Sequence, residues 1–173
     1  YNSGELELAF AADGTVAGQI AGSGYLIKSG AGNAVLTGDL NAASVQANVA
    51  VNEGTLTLAQ TGQFYTGTAF TTKTGATTTL AAGATLNGGL TFTQETGATL
   101  NVTVGGTEPI ITAQSAYIDG TLRVTGLDLS GRSARALDTI SHVIIETSNG
   151  GIINGDFTEL DLGGAAVNED YLT

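Results

Sequence analysis

Few side chains of this sequence are suited to catalysis, and the single histidine, His142, is the first to consider. Ser141 precedes it and Asp138 lies four residues earlier, so the residue types of a serine hydrolase triad occur close together. Consecutive strand residues point to opposite faces, which separates the Ser141 hydroxyl from the imidazole, and no nucleophile-elbow motif surrounds Ser141. We therefore interpret His142 as a polar strand residue and predict no catalytic residue and no enzyme.

Two groups of acidic residues are the next candidates. Asp119, Arg123 and Asp128 come closest to the charged set of a β-helical carbohydrate-active enzyme, but Asp119 precedes Gly120 and is better explained as a turn cap. Oxygen ligands for Ca²⁺ would come from Asp156, Glu159, Asp161, Glu169 and Asp170. The known Gly-rich and EF-hand calcium patterns are absent, so these residues are interpreted as solvated carboxylates. We predict neither a metal nor a cofactor.

Composition excludes several further functions. The 173 residues include 26 Gly but no Cys, Met or Trp, and 12% of them are charged, with a net charge of −11. Without Cys there are no disulfides and no thiolate chemistry. Nucleic acid is excluded as a partner because too few cations are present to neutralise its phosphates, namely Lys28, Lys73, Arg123, Arg132 and Arg135. The chain shows no signal peptide and does not begin with Met, so we expect it to be an excised piece.

The elements that must position these residues follow from an internal repeat. A Gly is followed within two residues by alternating Thr and aliphatic residues, as in Gly54-Thr55-Leu56-Thr57-Leu58. Equivalent units begin at Gly75, Gly97 and Gly120, which lie 21, 22 and 23 positions beyond the unit before. Alternation predicts half-buried strands, and the Gly predicts a turn with positive φ. Since no single unit buries its own apolar face, the units must stack.

Stacked units of this length predict an all-β fold, a right-handed parallel β-helix of about eight periods. Leu, Val and Ile are expected inside, with Thr, Asn and Gln outside. The alternation from Val45 to Val51 predicts one longer strand there. Sustained helical periodicity is missing, and only Gly131 to Ile140 is ambiguous.

The regular spacing of glycines ends near Leu127, where larger aliphatic residues and more charged residues appear. The run Val143-Ile144-Ile145 predicts a strand covered on both faces, and the glycines after it predict hairpin turns. We therefore divide the chain into parallel β-helix coils at 1–126 and a continuous C-terminal β-hairpin cap at 127–173. Such caps protect the open edge of a solenoid.

Three segments follow the coils, namely Ala136-Leu137-Asp138-Thr139-Ile140-Ser141-His142-Val143-Ile144-Ile145-Glu146-Thr147, Gly155-Asp156-Phe157 and the final Asp170-Tyr171-Leu172. Together with the coils, these segments resemble the C-terminal passenger region of a Gram-negative type V autotransporter. The similarity is to adhesin-like passengers of the pertactin or self-associating type. It implies that 127–173 is an autochaperone, which nucleates passenger folding during secretion. Candidates for this folding nucleus are Leu137, Ile140, Val143, Ile145, Phe157, Leu160, Leu162 and Tyr171.

The resemblance also implies partners and a location. The partners would be an upstream passenger, a downstream outer-membrane β-barrel, and a host-surface receptor or other copies of the same protein. The protein would lie at the bacterial cell surface or outer membrane or be secreted through the periplasm, with a role in adhesion or virulence. The alternative hypothesis is a β-helical carbohydrate-active enzyme or phage-type receptor-binding protein that acts through a groove.

Overall fold

The computed structural model describes residues 3–42, 44–127, 141–148 and 150–163. Twenty strands of two to five residues and one turn of 3-10 helix at Leu40–Ala42 are the regular elements of these ranges. Every strand pair in them is parallel. The predicted parallel β-solenoid is therefore confirmed.

Three sheets form the walls of the solenoid, and successive strands visit them in turn. The first sheet contains β1 (Glu5–Ala9), β4 (Tyr25–Ser29), β7 (Asn48–Val51), β10 (Ala69–Thr72), β13 (Thr91–Gln94), β16 (Ser115–Ile118) and β19 (Ile153–Gly155). The second contains β2 (Gly14–Val16), β5 (Asn33–Leu36), β8 (Thr55–Leu58), β11 (Thr77–Leu80), β14 (Thr99–Thr103), β17 (Thr121–Thr125) and β20 (Glu159–Asp161). The third contains β3 (Ala21–Gly22), β6 (Ser44–Val45), β9 (Gly62–Thr66), β12 (Ala84–Asn87), β15 (Ile111–Ala113) and β18 (Ile145–Thr147).

The strand register confirms the predicted period. In the second sheet, Asn33 pairs with Thr55 and the register continues through Thr77 and Thr99 to Thr121, so paired residues are 22 positions apart over five strands. We call each passage through the three sheets a coil. The Gly-led repeats are the strands of the second sheet, and the segments between them supply the other two walls.

The last coil, formed by β18, β19 and β20, is longer than the others. Its strands pair with β15, β16 and β17, and the partners Ile111 and Ile145 are 34 positions apart. Thr121 and Glu159 are 38 positions apart. Most of the additional residues lie between β17 and β18 in the sequence. Two of the sheets therefore hold seven strands, where a uniform period predicts about eight.

The core fills the space between the three sheets with stacked side chains. In the second sheet Leu56, Leu100 and Leu122 occupy one inward column, and Phe70 and Phe92 stack in the first sheet with ring centroids 6.1 Å apart. Each fully buried side chain of this size contributes about 1.5–3 kcal/mol relative to exposure. Stacking across coils therefore buries what no single coil can bury.

Glycines make the corners between the first and second sheets. Gly120 has a φ of 73°, and a Cβ built on it would lie 2.3 Å from the carbonyl oxygen of Ala98 in the coil before. Any side chain would both strain the backbone and collide with the neighbouring coil. Gly54, Gly75 and Gly97 share the positive φ, which explains why Gly recurs at the head of each repeat.

Two expectations need correction. The single strand expected from Val45 to Val51 is divided into β6 and β7, because a corner of the solenoid falls at Gln46 and Ala47. The described part of the 127–173 region contains solenoid strands rather than hairpins, since β18, β19 and β20 each pair in parallel with the coil before. Parallel pairing continues the three walls, whereas a hairpin would fold back on them.

Candidate functional site

The corner that follows the first sheet carries a line of polar side chains across neighbouring coils. Lys73 Nζ contacts Glu95 Oε1 at 2.6 Å, and the Thr74 amide donates to Glu95 Oε2 at 3.2 Å. One coil further on, the Thr96 hydroxyl and the Gly120 amide each donate to Asp119 at 2.6 Å. We call this series of contacts the corner ladder. It confirms that Asp119 caps the turn.

The corner ladder borders an open depression of about 450 Å³ on the outer surface. The ring of Tyr117, in β16, is 44% exposed at this position. Register places Tyr117 between Thr93 in β13 and Asn154 in β19. The lining residues come from consecutive coils and are Thr74, Gln94, Glu95, Thr96, Tyr117, Ile118, Asp119, Asn154 and Gly155.

Hydrogen bonds hold both carboxyl groups of the depression in their ionised form. The bond from Lys73 lowers the pKa of Glu95, and the bond from Thr96 lowers the pKa of Asp119. A general acid must keep its proton near neutral pH, which requires a raised pKa. Glu95 and Asp119 are therefore suited to accepting hydrogen bonds and unsuited to donating a proton to a leaving group.

His142 contacts a residue that the sequence did not indicate. Its Nδ1 lies 2.5 Å from Glu108 Oε1, and the amide of Val143 donates to Glu108 Oε2 at 3.0 Å. These hydrogen bonds lower the pKa of Glu108, with the bond from His142 contributing most. Asp138 lies outside the described residues. The contact ties the start of the last coil to the loop between β14 and β15.

The other charged candidates are dispersed over the surface. Arg123 forms a salt bridge with Asp161 at 2.7 Å across the last two coils, so its charge is paired on the outer surface rather than directed toward Asp119. Asp128, Glu169 and Asp170 lie outside the described residues. Among the residues that the structure describes, no group of three or more His, Asp or Glu side chains is placed to hold a metal ion.

The folding-nucleus candidates differ in position. Leu160 continues the inward column of Leu122, and Ile145 that of Ile111. The side chain of Val143 is 47% exposed, which differs from the doubly covered strand expected there, because the strand begins only at Ile145. Ile145, Phe157, Leu160 and Leu162 are partly buried against the core. Leu137, Ile140 and Tyr171 lie outside the described residues.

A buried lysine is the main polar feature that the sequence analysis missed. Lys28 points into the solenoid with a side chain that is 0% exposed, and its Nζ donates to the carbonyl oxygens of Ser29, Gly30 and Glu53 at 2.7–3.0 Å. Burial lowers the pKa of Lys28, while the charge of Glu53 acts in the opposite direction. The alternation Leu26-Ile27-Lys28 was the available signal, because it gives Lys28 the same inward parity as Leu26.

The interior beside the corner ladder contains further polar side chains. The hydroxyls of Thr72 and Thr78 are hydrogen-bonded at 2.7 Å, so these two inward residues satisfy each other. Gln94, 2% exposed, occupies the next coil, and no described residue hydrogen-bonds its amide group. Polar side chains thus replace aliphatic ones along one edge of the core.

Comparison of the chain with protein-family models, curated proteins and solved structures gave no match. In the part of the chain that the structure describes, no helix is long and apolar enough to cross a membrane.

Proposed function

We propose that this chain is a non-enzymatic part of an autotransporter passenger, with a C-terminal region that nucleates folding during secretion across the outer membrane. Its partners would be the upstream passenger and a downstream β-barrel, and its location the cell surface or the secreted fraction. The sequence resemblance motivates the proposal. A parallel β-solenoid is compatible with it, because such a fold grows by adding coils to an existing edge.

The observation that carries the proposal is the pairing of the last coil with all three walls. β18, β19 and β20 each form a parallel ladder with the coil before. Starting a solenoid requires ordering several strands before many contacts form, whereas each later coil pairs with a preformed edge. A last coil that folds first would present three strand edges in the correct register.

Side-chain contacts hold the last coil in the same register. Leu160 lies in register with Leu122, and Arg123 and Thr121 bond Asp161 and Glu159 from the outside. Thr158 donates twice to the carbonyl oxygen of Gly120, from its amide and from its hydroxyl. Backbone, apolar and charged contacts therefore all fix the register between the last two coils.

Refolding kinetics of the full chain distinguish a nucleus from a merely stabilising region. Leu160→Ala should slow refolding, because contacts formed in the transition state are lost, whereas Leu56→Ala in a middle coil should mainly accelerate unfolding. Stopped-flow circular dichroism measures both rates. Unchanged refolding of Leu160→Ala, together with slowed refolding of Leu56→Ala, would place the nucleus elsewhere and remove the basis of the proposal.

Display of the complete passenger with its barrel tests the role in secretion. Leu160→Asp should reduce surface exposure of the passenger, and the outward substitution Glu146→Gln in the same coil should leave it intact. Protease accessibility on whole cells measures exposure. Equal display of the two variants would contradict an autochaperone function.

A further inference from the structure

We propose that the depression around Tyr117 binds a neutral oligosaccharide without cleaving it. This inference goes beyond the proposed function and does not depend on it, because it rests on surface chemistry at the corner rather than on the last coil as a folding nucleus. A volume of about 450 Å³ falls within the range of small-molecule binding sites.

The exposed aromatic ring is the first reason for this choice of ligand. The side chain of Tyr117 lies on the outer face of β16 and is 44% exposed. Its register neighbours, Thr93 and Asn154, are smaller and polar. The negative face of an aromatic ring attracts the weakly positive C–H groups of a sugar ring, and the phenol provides a hydrogen bond at its edge.

The polar groups around the ring match hydroxyl-bearing ligands. Glu95 and Asp119 offer carboxylate oxygens, Thr74 and Thr96 offer hydroxyls, and Asn154 offers an amide. The protein's own donors already fix the carboxylates in place, through Lys73 for Glu95 and through Thr96 for Asp119. Each carboxylate oxygen can accept a second hydrogen bond, so both remain available as preorganised acceptors.

Charge selects neutral sugars over acidic ones. None of the residues that line the depression is a cation, and the adjacent Lys73 is paired with Glu95. The chain as a whole has a net charge of −11. A sulfated or uronic polymer would meet two carboxylates and a negative surface, which repel it.

The same geometry argues against hydrolysis. Cleavage of a glycosidic bond requires one carboxyl group that keeps its proton and a second that is ionised. Both Glu95 and Asp119 are held ionised by hydrogen bonds, so neither carboxyl group can act as the proton donor to the leaving oxygen. The depression is therefore suited to binding.

Saturation-transfer NMR and calorimetry with the full chain test this proposal. Cellohexaose, maltohexaose and chitohexaose serve as neutral probes, and chondroitin sulfate serves as the acidic comparison. At least one neutral probe should bind, Tyr117→Ala should weaken it by about tenfold or more, and Asn154→Ala should weaken it less. The matched control is Tyr25→Ala, since Tyr25 is 50% exposed in β4 of the same sheet and does not line the depression.

Three results would overturn the inference. The first is that no neutral probe binds at millimolar concentration. The second is an equal loss of affinity in Tyr25→Ala and Tyr117→Ala, and the third is tighter binding of chondroitin sulfate than of the neutral probes. Circular dichroism of each variant verifies that it is folded. Shortening of a bound probe during incubation would overturn the absence of cleavage. Because these readouts measure ligand binding and not refolding, their failure leaves the proposed folding role untouched.

Discussion

The middle coils and the last coil use the same three sheets but differ in length and in burial. From β5 to β17 the second sheet advances by 22 positions at each step, and its inward side chains are buried. The last coil advances by 34 to 38 positions, and among its inward positions Ile153 is 48% exposed although it is paired with the buried Ala116. Inward orientation alone therefore does not ensure burial.

The difference shows where the stability of a solenoid originates. A middle coil such as the one containing Leu100 is covered by a coil on each side, so its inward side chains lose all contact with solvent. Among the described residues, the last coil pairs on one side only. Larger aliphatics in the last coil thus contribute less buried area than smaller ones in the middle, because the number of neighbouring coils decides the outcome.

The largest expected effect comes from truncating matched inward residues of the two regions. Phe92→Ala should lower the free energy of unfolding by about 3–5 kcal/mol, since it removes a fully buried stacked ring. Ile153→Ala should cost below about 1 kcal/mol, because half of that side chain already contacts solvent. Urea denaturation followed by circular dichroism measures both. Similar losses would contradict the comparison.

A second pair of substitutions concerns the glycine corners. Gly120→Ala should lower the free energy of unfolding by more than about 2 kcal/mol. Alanine is strained at the positive φ of this position, and its Cβ would collide with the carbonyl oxygen of Ala98 in the neighbouring coil. Gly75→Ala should cost only about 1 kcal/mol, since its φ of 79° is strained but no atom lies within 4 Å of the added Cβ. Thermal and urea unfolding give the two values. Equal costs would show that strain alone controls these corners.

The buried and exposed lysines provide the third test. Lys28→Met should cost about 1–3 kcal/mol, because carbonyl oxygens lose their donor, and Lys73→Met at most about 1 kcal/mol. Since burial lowers the pKa of Lys28, the folded protein releases this proton at a lower pH than the unfolded chain. Relative to Lys28→Met, the free energy of unfolding should therefore rise as the pH increases from the lowered pKa of Lys28 toward the ordinary lysine pKa of about 10.4. Parallel stability curves for the two proteins would contradict this.

The smallest effect concerns the contact of the last coil with Glu108. Because the pKa of Glu108 is lowered, the contact stabilises the folded protein fully at a pH above the ordinary glutamate pKa of about 4.3. This stabilisation is lost as the pH falls through the lowered pKa. Glu108→Gln should cost about 0.5–1.5 kcal/mol at neutral pH. In NMR titrations, the acid-induced shift of the Val143 amide should disappear in this variant, while that of Leu100 should not change. A persistent Val143 shift would implicate another group.

The regular part of the fold was predictable from the sequence. Gly54 and Gly120 precede alternating Thr and Leu residues, and the strands β8 and β17 occur where this pattern predicts them. Alternation determines the side that each residue faces, and the repeat spacing determines its partner. Local chemistry therefore specifies both orientation and register in these coils.

The remaining features depend on contacts that the sequence does not encode locally. Glu108 and His142 are separated by 34 positions, and they meet because the last coil packs on the coil before it. Lys28 has an inward parity, but charge predicts exposure, and only the nearby carbonyl oxygens explain its burial. The depression around Tyr117 combines residues of several coils, none of which forms a motif by itself.

The constant advance from one middle coil to the next has a mechanical consequence. Neighbouring coils are joined by backbone hydrogen bonds that run along the solenoid axis, so a pull along that axis loads one ladder at a time and peels coils successively. A released middle coil extends to about 75 Å, against a rise of about 4.8 Å while folded. A force–extension trace of the middle coils should thus show equal steps of about 70 Å, with a step of about 110–130 Å for the last coil.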